Sequence, residues 1–485
     1  MAALVFAVVI LLTLFLALYS RRGNDMLNIE QYLVGGRSFG GILVFFLAVG
    51  EIYSIGTMIG FPGGIFGQGP SYGIWFLGYI LLGYTLLYFI MPMIWRAGKQ
   101  YGAMTVPDIF KHHYSHRGVE VVVAITIVIA AIPWAQLQFE GLAVALSALG
   151  FHFSMTTLVI ISGCIAFFYV FASGIKAPAL ISFVKDVLVI GAVIITGVVA
   201  VTKVGGVSHL FNIAEQHGAP VTINSSEAII FAMSTIVFQA LGFACAPTIA
   251  AVAFTGKSEA TMKKTQTFMP LYMLMYPFLI FATYYTFVAA PGLKNPDNAF
   301  MATVTSIMPS WLIGLVAAGA ALSGLLVLAI NCLGLGANVS RNLLPNISER
   351  SQRKWVRMVI VMYLLVAIVL TLFTSQLMLT VININYYLTT QILPGLLAVF
   401  FSRKINAAGI ISGIVVGVVS ALTMYFTHVN FYGINIGLIA LVLNFIVTFA
   451  VSAAFGKNYK LVKPIHNPDI QPKNDDDNPP TVVVE

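Results

Sequence analysis

The stretch Phe46-Leu47-Ala48-Val49-Gly50-Glu51-Ile52-Tyr53-Ser54-Ile55-Gly56-Thr57-Met58-Ile59-Gly60-Phe61-Pro62-Gly63-Gly64 decides how this chain is read. It is apolar enough to lie in a bilayer. Yet it carries a carboxylate, two aliphatic hydroxyls, a proline and several glycines where an ordinary membrane span carries leucines. Such a helix is expected to break. Backbone freed at membrane depth is tolerated only where protein buries it or where it lines a wet cavity, so the break marks a binding site.

The rest of the composition agrees with a bilayer setting. The 485 residues are 59% hydrophobic and 9% charged, and the mean hydropathy is +0.93, which is membrane rather than soluble usage. The fold class expected is an all-α polytopic membrane protein. Apolar runs mark about thirteen spans at roughly 20 residues each, over 2–19, 41–67, 72–95, 119–149, 155–174, 178–202, 228–255, 267–290, 304–340, 356–374, 377–401, 407–427 and 431–455. The run 304–340 is long for one span and leaves room for a short surface helix. No separate soluble domain fits. The first run has Arg21 and Arg22 behind it rather than basic residues ahead of it, which is not the pattern of a cleaved signal peptide. Cys164, Cys245 and Cys332 lie in apolar runs without paired spacing and read as small core residues.

The net charge of +8 is topogenic. With the N-terminus outside and the C-terminus cytoplasmic, only Lys203 and Lys294 fall on the outer side and Lys185 inside a span, while every other Lys and Arg lies on the inner side. This distribution leaves no reason to expect nucleic acid as a partner; the partners expected are the lipid bilayer of the cell membrane and a small organic anion or other small solute. The tail 456–485, with Asp475-Asp476-Asp477, has too little apolar content to fold alone and reads as a disordered cytoplasmic end.

A second span is built like the first. Residues 228–255 hold Gln239, Gly242, Cys245, Ala246-Pro247 and Thr248, five spans after the run 41–67. Interrupted helices at matching positions of two five-helix halves point to an inverted-repeat transporter. The domains expected are an N-terminal peripheral helix and loop (1–40), a first inverted repeat (41–202), a second (203–401), two C-terminal peripheral helices (402–455) and the tail.

Gly35-Gly36-Arg37-Ser38-Phe39-Gly40, followed by the opening stretch with Gly60-Phe61-Pro62-Gly63, resembles the start of the sodium:solute symporter family. Gly102-Ala103-Met104-Thr105-Val106-Pro107-Asp108 is similar to that family's loop after the third span. Glu51-Ile52-Tyr53 and Ser173-Gly174-Ile175-Lys176-Ala177-Pro178-Ala179-Leu180-Ile181, with Phe183-Val184-Lys185-Asp186, resemble the branch that carries small monocarboxylates. The resemblance spans nearly the whole chain. It implies the leucine-transporter fold with two broken helices, cation-coupled symport of a small solute such as acetate, pyruvate or lactate, and no enzymatic activity. Sodium is favoured as the coupling ion; proton coupling, or a neutral amino acid or vitamin as solute, are the alternatives.

On that match the resemblance places sodium on the carbonyls of Gly50 and Tyr53 and on hydroxyls of the span 304–340. There the chain departs from the family, because Ala317-Ala318-Gly319-Ala320-Ala321-Leu322-Ser323-Gly324 offers only Ser323. Asp186 matches the family's acid, but Lys185 beside it is unusual. Two readings stand: Lys185 snorkels to the cytoplasmic face, or its ammonium takes the place of sodium and carries a proton. Glu51, Glu140 and Asp186 are acids inside spans and are functional candidates by their cost alone. Gln136 and Glu140, four residues apart, pair equally well as interhelical glue. Ser54, Thr57, Gln136, Gln239, Asn385 and Tyr386 are the candidate solute contacts. No arginine lies inside a span, which disfavours a dianionic solute.

Other chemistries have less support. Lys111-His112-His113-Tyr114-Ser115-His116 lies in a basic loop without a Cys or acidic partner and reads as solvated rather than metal-binding. Gly334-Leu335-Gly336 falls within a span and reads as packing. A channel wants charged rings or a continuous polar lining, and a membrane acyltransferase wants a clustered acid and base. The sequence shows neither.

Overall fold

The computed structural model describes residues 1–19, 28–151, 153–172, 175–344, 347–373 and 377–455. Arg21, Arg22, Ser173, Gly174 and the tail 456–485 lie outside the described residues. Within them the chain is almost all helix, and the β-type contacts are the isolated pairs Phe39 with Gly256 and Phe431 with Ile434.

The opening span breaks where its sequence says it must. Helix α1 (Ala2–Tyr19) precedes it. Helix α2 (Gly41–Ile52) stops because Tyr53 leaves helical geometry at φ −89° and ψ 70°. A wide turn over Gly56–Gly60 follows, and α3 (Phe61–Gln68) resumes with Pro62 in its first turn, where the missing N–H costs nothing. The two halves meet at a 43° bend. Ile55, inside the break, is fully buried. It fits a notch that a side chain would close, since a Cβ on Gly141 or Gly324 would stand 2.5 or 3.3 Å from it.

Four long helices, with the short helices Val106–Tyr114 and Val207–Gln216 between and after them, separate this span from the second broken one: α4 (Pro70–Tyr101), α5 (Arg117–Ser147), α6 (Met155–Ala172) and α7 (Lys176–Lys203). That second span is α8 (Ser226–Phe243) and α9 (Pro247–Thr255), divided at Ala244–Ala246. The break has a local cause, because a residue before proline is driven out of helical geometry, and Ala246 is extended at φ −61° and ψ 124°. Then come α10 (Tyr276–Ala289), α11 (Ser310–Asn338), α12 (Glu349–Phe373) and α13 (Met378–Thr389), and last α14 (Ala407–Phe426) and α15 (Ile436–Ala454). Helix α11 is the axis of the bundle, packed on α1, α5, α7 and α12. Its small residues Ala317 to Ala321 are all buried and let those neighbours approach closely.

The span count differs from the thirteen expected. Eleven described helices are long and apolar enough to cross a bilayer, or twelve with the bent opening pair as one span; the apolar part of α6, Thr156–Tyr169, is shorter. The run 304–340 does divide, into a short helix Ala299–Ile307 and α11.

The end of the bundle richest in basic residues is tied by polar contacts. Phe39 joins the ends of both broken spans, its N–H donating to the Thr255 carbonyl and its carbonyl accepting from the Lys257 N–H, each at 3.0 Å. Asp108 opens the helix Val106–Tyr114 in a capping box with Thr105. It accepts from Asn342 Nδ2 at 2.7 Å and Arg341 Nε at 3.1 Å, and Asn342 also donates to Glu120 at 3.0 Å. Burial alone would raise the Asp108 carboxyl; Arg341, the Met104 amide and Asn342 hold it below its ordinary value.

His113, in the same helix, is buried with Nδ1 2.9 Å from the Tyr101 hydroxyl. Burial pushes its imidazole down to about 4. The unfolded chain takes up that proton near pH 6.5, so folded stability falls as pH drops from about 6.5 toward 4, at a slope of up to one proton. Thermal melting in detergent across this range will show a steeper loss for the wild type than for His113→Gln. Equal slopes would remove His113 from the network.

Candidate functional site

The first break and the face of α7 meet at the middle of the bundle. Gly50 lies against Ser182, where a Cβ would stand 3.1 Å from the serine Cβ. One turn on, Lys185 is fully buried. Its Nζ donates to the Tyr53 carbonyl at 3.1 Å and pairs with Asp186 Oδ1 at 2.6 Å. The Tyr272 hydroxyl donates to Asp186 Oδ2 at 3.4 Å. The physical logic is plain: the break strips Tyr53 of a helical partner, and a buried carbonyl without a donor is costly. A cationic donor from the neighbouring helix satisfies it. The snorkelling alternative for Lys185 is not what the structure shows, since the side chain points inward to the break and not to a membrane face.

A narrow cavity of about 40 Å³ lies on the other side of the break. Glu51 and Ile52 line it from the first broken span, Ala246 to Ile249 from the second, Asn385, Tyr386 and Thr389 from α13, Asn331 from α11, Trp134 from α5 and Tyr79 from α4. Glu51 is buried, lies beside the Thr248 hydroxyl, and its Oε2 has no hydrogen-bond partner. It is the only charged residue of this lining among the described residues. Asn385 Nδ2 donates to the Ala130 carbonyl at 2.7 Å, and the Tyr79 and Tyr386 rings meet edge-on at 5.6 Å. A second space shares Asn331, Pro247 and Thr248 and continues past Ala251, Gly334 and Leu335 toward the basic end.

The sodium:solute symporter family matches this chain over residues 32–417. The chain belongs to that family. It is therefore a membrane transporter and not an enzyme. Relatives include an uncharacterised symporter, YhjB, of Bacillus subtilis, 29% identical over 92% of this chain and 95% of that protein. A monocarboxylate transport permease protein of Rhizobium johnstonii is 26% identical over 83% of this chain and 84% of its own. Among solved structures, a Na+-coupled sialic acid symporter in its substrate-bound outward-open state superposes with a TM-score of 0.76 at 14% identity, covering 96% of this chain and 98% of that one. This likeness establishes the fold, a transporter bundle with two broken helices.

Membership of the sodium:solute symporter family implies a sodium ion, and the residues expected to hold it do not fit one. The Tyr53 carbonyl already accepts from Lys185 and Asp186 is paired with the same nitrogen, while the Ser323 hydroxyl, which donates to Gly319 of its own helix at 2.9 Å, keeps its lone pairs and does not decide the matter. A cation placed among these oxygens meets a like charge at contact distance.

The remaining expected contacts divide. Asn385, Tyr386 and Glu51 share the cavity. Ser54 instead accepts from the Gly56 amide at 3.2 Å, and Thr57 turns to the Ile52 carbonyl at 3.5 Å, so both brace the break from within. Gln239 donates to Asn383 at 2.7 Å and Gln136 to Glu140 at 2.8 Å, and neither lines the cavity. Tyr79 and Asn331 line it unforeseen. Their polar side chains on long apolar helices look like interhelical glue until the fold brings them together.

Replacing Glu51 with Gln keeps the shape and removes the only charge of this lining. Gradient-driven uptake in proteoliposomes is expected to fall by about tenfold or more, a loss of at least about 1.4 kcal/mol, with membrane insertion unchanged. Uptake at the wild-type rate would take Glu51 out of the machinery.

Proposed function

We propose that this chain is a secondary active symporter that imports a small organic solute, a monocarboxylate, by alternating access in the cell membrane. The observation that carries this reading is the convergence of both broken spans on one narrow cavity, mostly apolar, whose only charged residue among the described ones is Glu51. Near that cavity α9 begins, so the positive end of its dipole and the Thr248 hydroxyl offer a carboxylate a place to bind without an arginine. The name of the Rhizobium relative and the Glu51-Ile52-Tyr53 motif support a monocarboxylate.

Coupling follows from electrostatics. An anionic solute entering beside an ionised Glu51 brings two carboxylates together, and one of them must be neutralised. A cation therefore travels with the solute. Sodium is the ion that family membership supports; the contact of Lys185 with the Tyr53 carbonyl favours the second reading, proton-coupled uptake of the same solutes. The repeats 41–202 and 203–401 rock about the breaks at Tyr53 and at Ala244–Ala246, which carry the hinge because their backbone already lies outside a regular helix. The basic end faces the cytoplasm by the positive-inside rule, which sets the N-terminus outside and the C-terminus inside.

Uptake of labelled acetate, pyruvate and lactate into proteoliposomes, with sodium and proton gradients imposed separately, tests this. Accumulation is expected under an inward cation gradient, with unlabelled monocarboxylates competing and dicarboxylates not. Competition by neutral amino acids alone would overturn the solute assignment, and uptake indifferent to both gradients would overturn symport.

A further inference from the structure

The disagreement between the family's ion and the residues around Tyr53 has a specific content. A break in a membrane helix creates an oxygen that wants a cation. In this chain the want is met by a side chain: Lys185 is wholly buried, with its nitrogen 3.1 Å from the Tyr53 carbonyl and 2.6 Å from Asp186. Both are hydrogen-bond distances, so no space is left between the nitrogen and either oxygen. The pair is also complete as a unit of charge, one cation against one carboxylate. A second cation would have to enter beside the first.

We infer that the Tyr53 carbonyl and the Asp186 carboxylate form a monovalent-cation site that Lys185 holds closed, its ammonium serving as a tethered substitute for the ion. The wild-type chain binds no sodium at this place, and the sodium gradient does no work there. Removing the side chain leaves a buried carboxylate without its counter-charge, facing a carbonyl oxygen and, through Asp186, the Tyr272 hydroxyl. The space vacated by a lysine side chain is large enough for a small ion and a water to complete its shell. At a pH high enough to keep Asp186 ionised, a sodium ion then supplies the missing counter-charge, because an isolated buried charge is far more costly than a paired one. Coupling to whatever cation accompanies the solute is left to Glu51 and the cavity on the other side of the break. The consequence for coupling rests on the symporter reading; the occupancy of the site does not.

Equilibrium binding of 22Na+ to the purified full-length protein in detergent tests this without any solute. Saturable binding of one sodium per chain is expected in Lys185→Ala, to be absent from the wild type at this place, and to vanish again in Lys185→Ala combined with Asp186→Asn. Monodisperse Lys185→Ala that binds no sodium would overturn the inference. So would sodium binding by the wild type that Asp186→Asn alone abolishes. If Lys185→Ala does not stay monodisperse, the wild type decides: equal melting temperatures in sodium and potassium chloride support the closed site, and a sodium-induced rise that Asp186→Asn removes refutes it. Failure of solute uptake would leave every one of these readings unchanged, so the two proposals fail separately.

Discussion

A backbone carbonyl set free inside a bilayer is the constraint from which the rest of this structure follows. Leaving it unpaired costs about 1–3 kcal/mol, and no lipid can supply the donor. The chain answers with the Lys185 side chain, itself too costly to bury without Asp186, which in turn takes a hydrogen bond from Tyr272. Breaking such a pair costs on the order of 3–5 kcal/mol. The first broken span, α7 and the segment carrying Tyr272 are thus fastened by one chain of polar contacts. Ile55 adds the apolar counterpart, lodged between glycines of α5 and α11.

The fastened side and the cavity lie on opposite faces of the same break. Lys185 still bears electrostatically on the Glu51 carboxyl, so the two faces are not independent. Tyr53 and its partners hold the bend open, while Glu51, two residues earlier, faces the second break across the cavity. The tied basic end, with Asp108, Glu120, Arg341 and Asn342, links the loop after α4 to the end of α11.

Much of this was legible in the sequence where a local rule decides the outcome. The second break follows from Ala246-Pro247, because proline fixes its predecessor, and the first from the carboxylate, hydroxyls and glycines between Gly50 and Gly60. The division of 304–340 showed in its length. The placement of Glu51 in the cavity was legible because burying a carboxylate in a broken span is costly. Ser54, Thr57, Gln136 and Gln239 were read as solute contacts because a hydroxyl or amide in a span has two uses, and sequence does not say which neighbour takes it. For Gln239 the neighbour is Asn383, 144 positions away. The inward turn of Lys185 was likewise open, since a long side chain near a span's end reaches the surface or the core with equal ease. What decided it was the unpaired carbonyl of another helix.

Under the proposed function the solute rests in the cavity between the two breaks. A cryo-electron microscopy structure of the full-length protein with a bound monocarboxylate tests this most directly. The account predicts solute density bounded by Glu51, Thr248, Asn331 and Asn385, with the Lys185 contact to the Tyr53 carbonyl intact. Solute density on the Lys185 side of the break, or in a site that touches neither broken span, would contradict it.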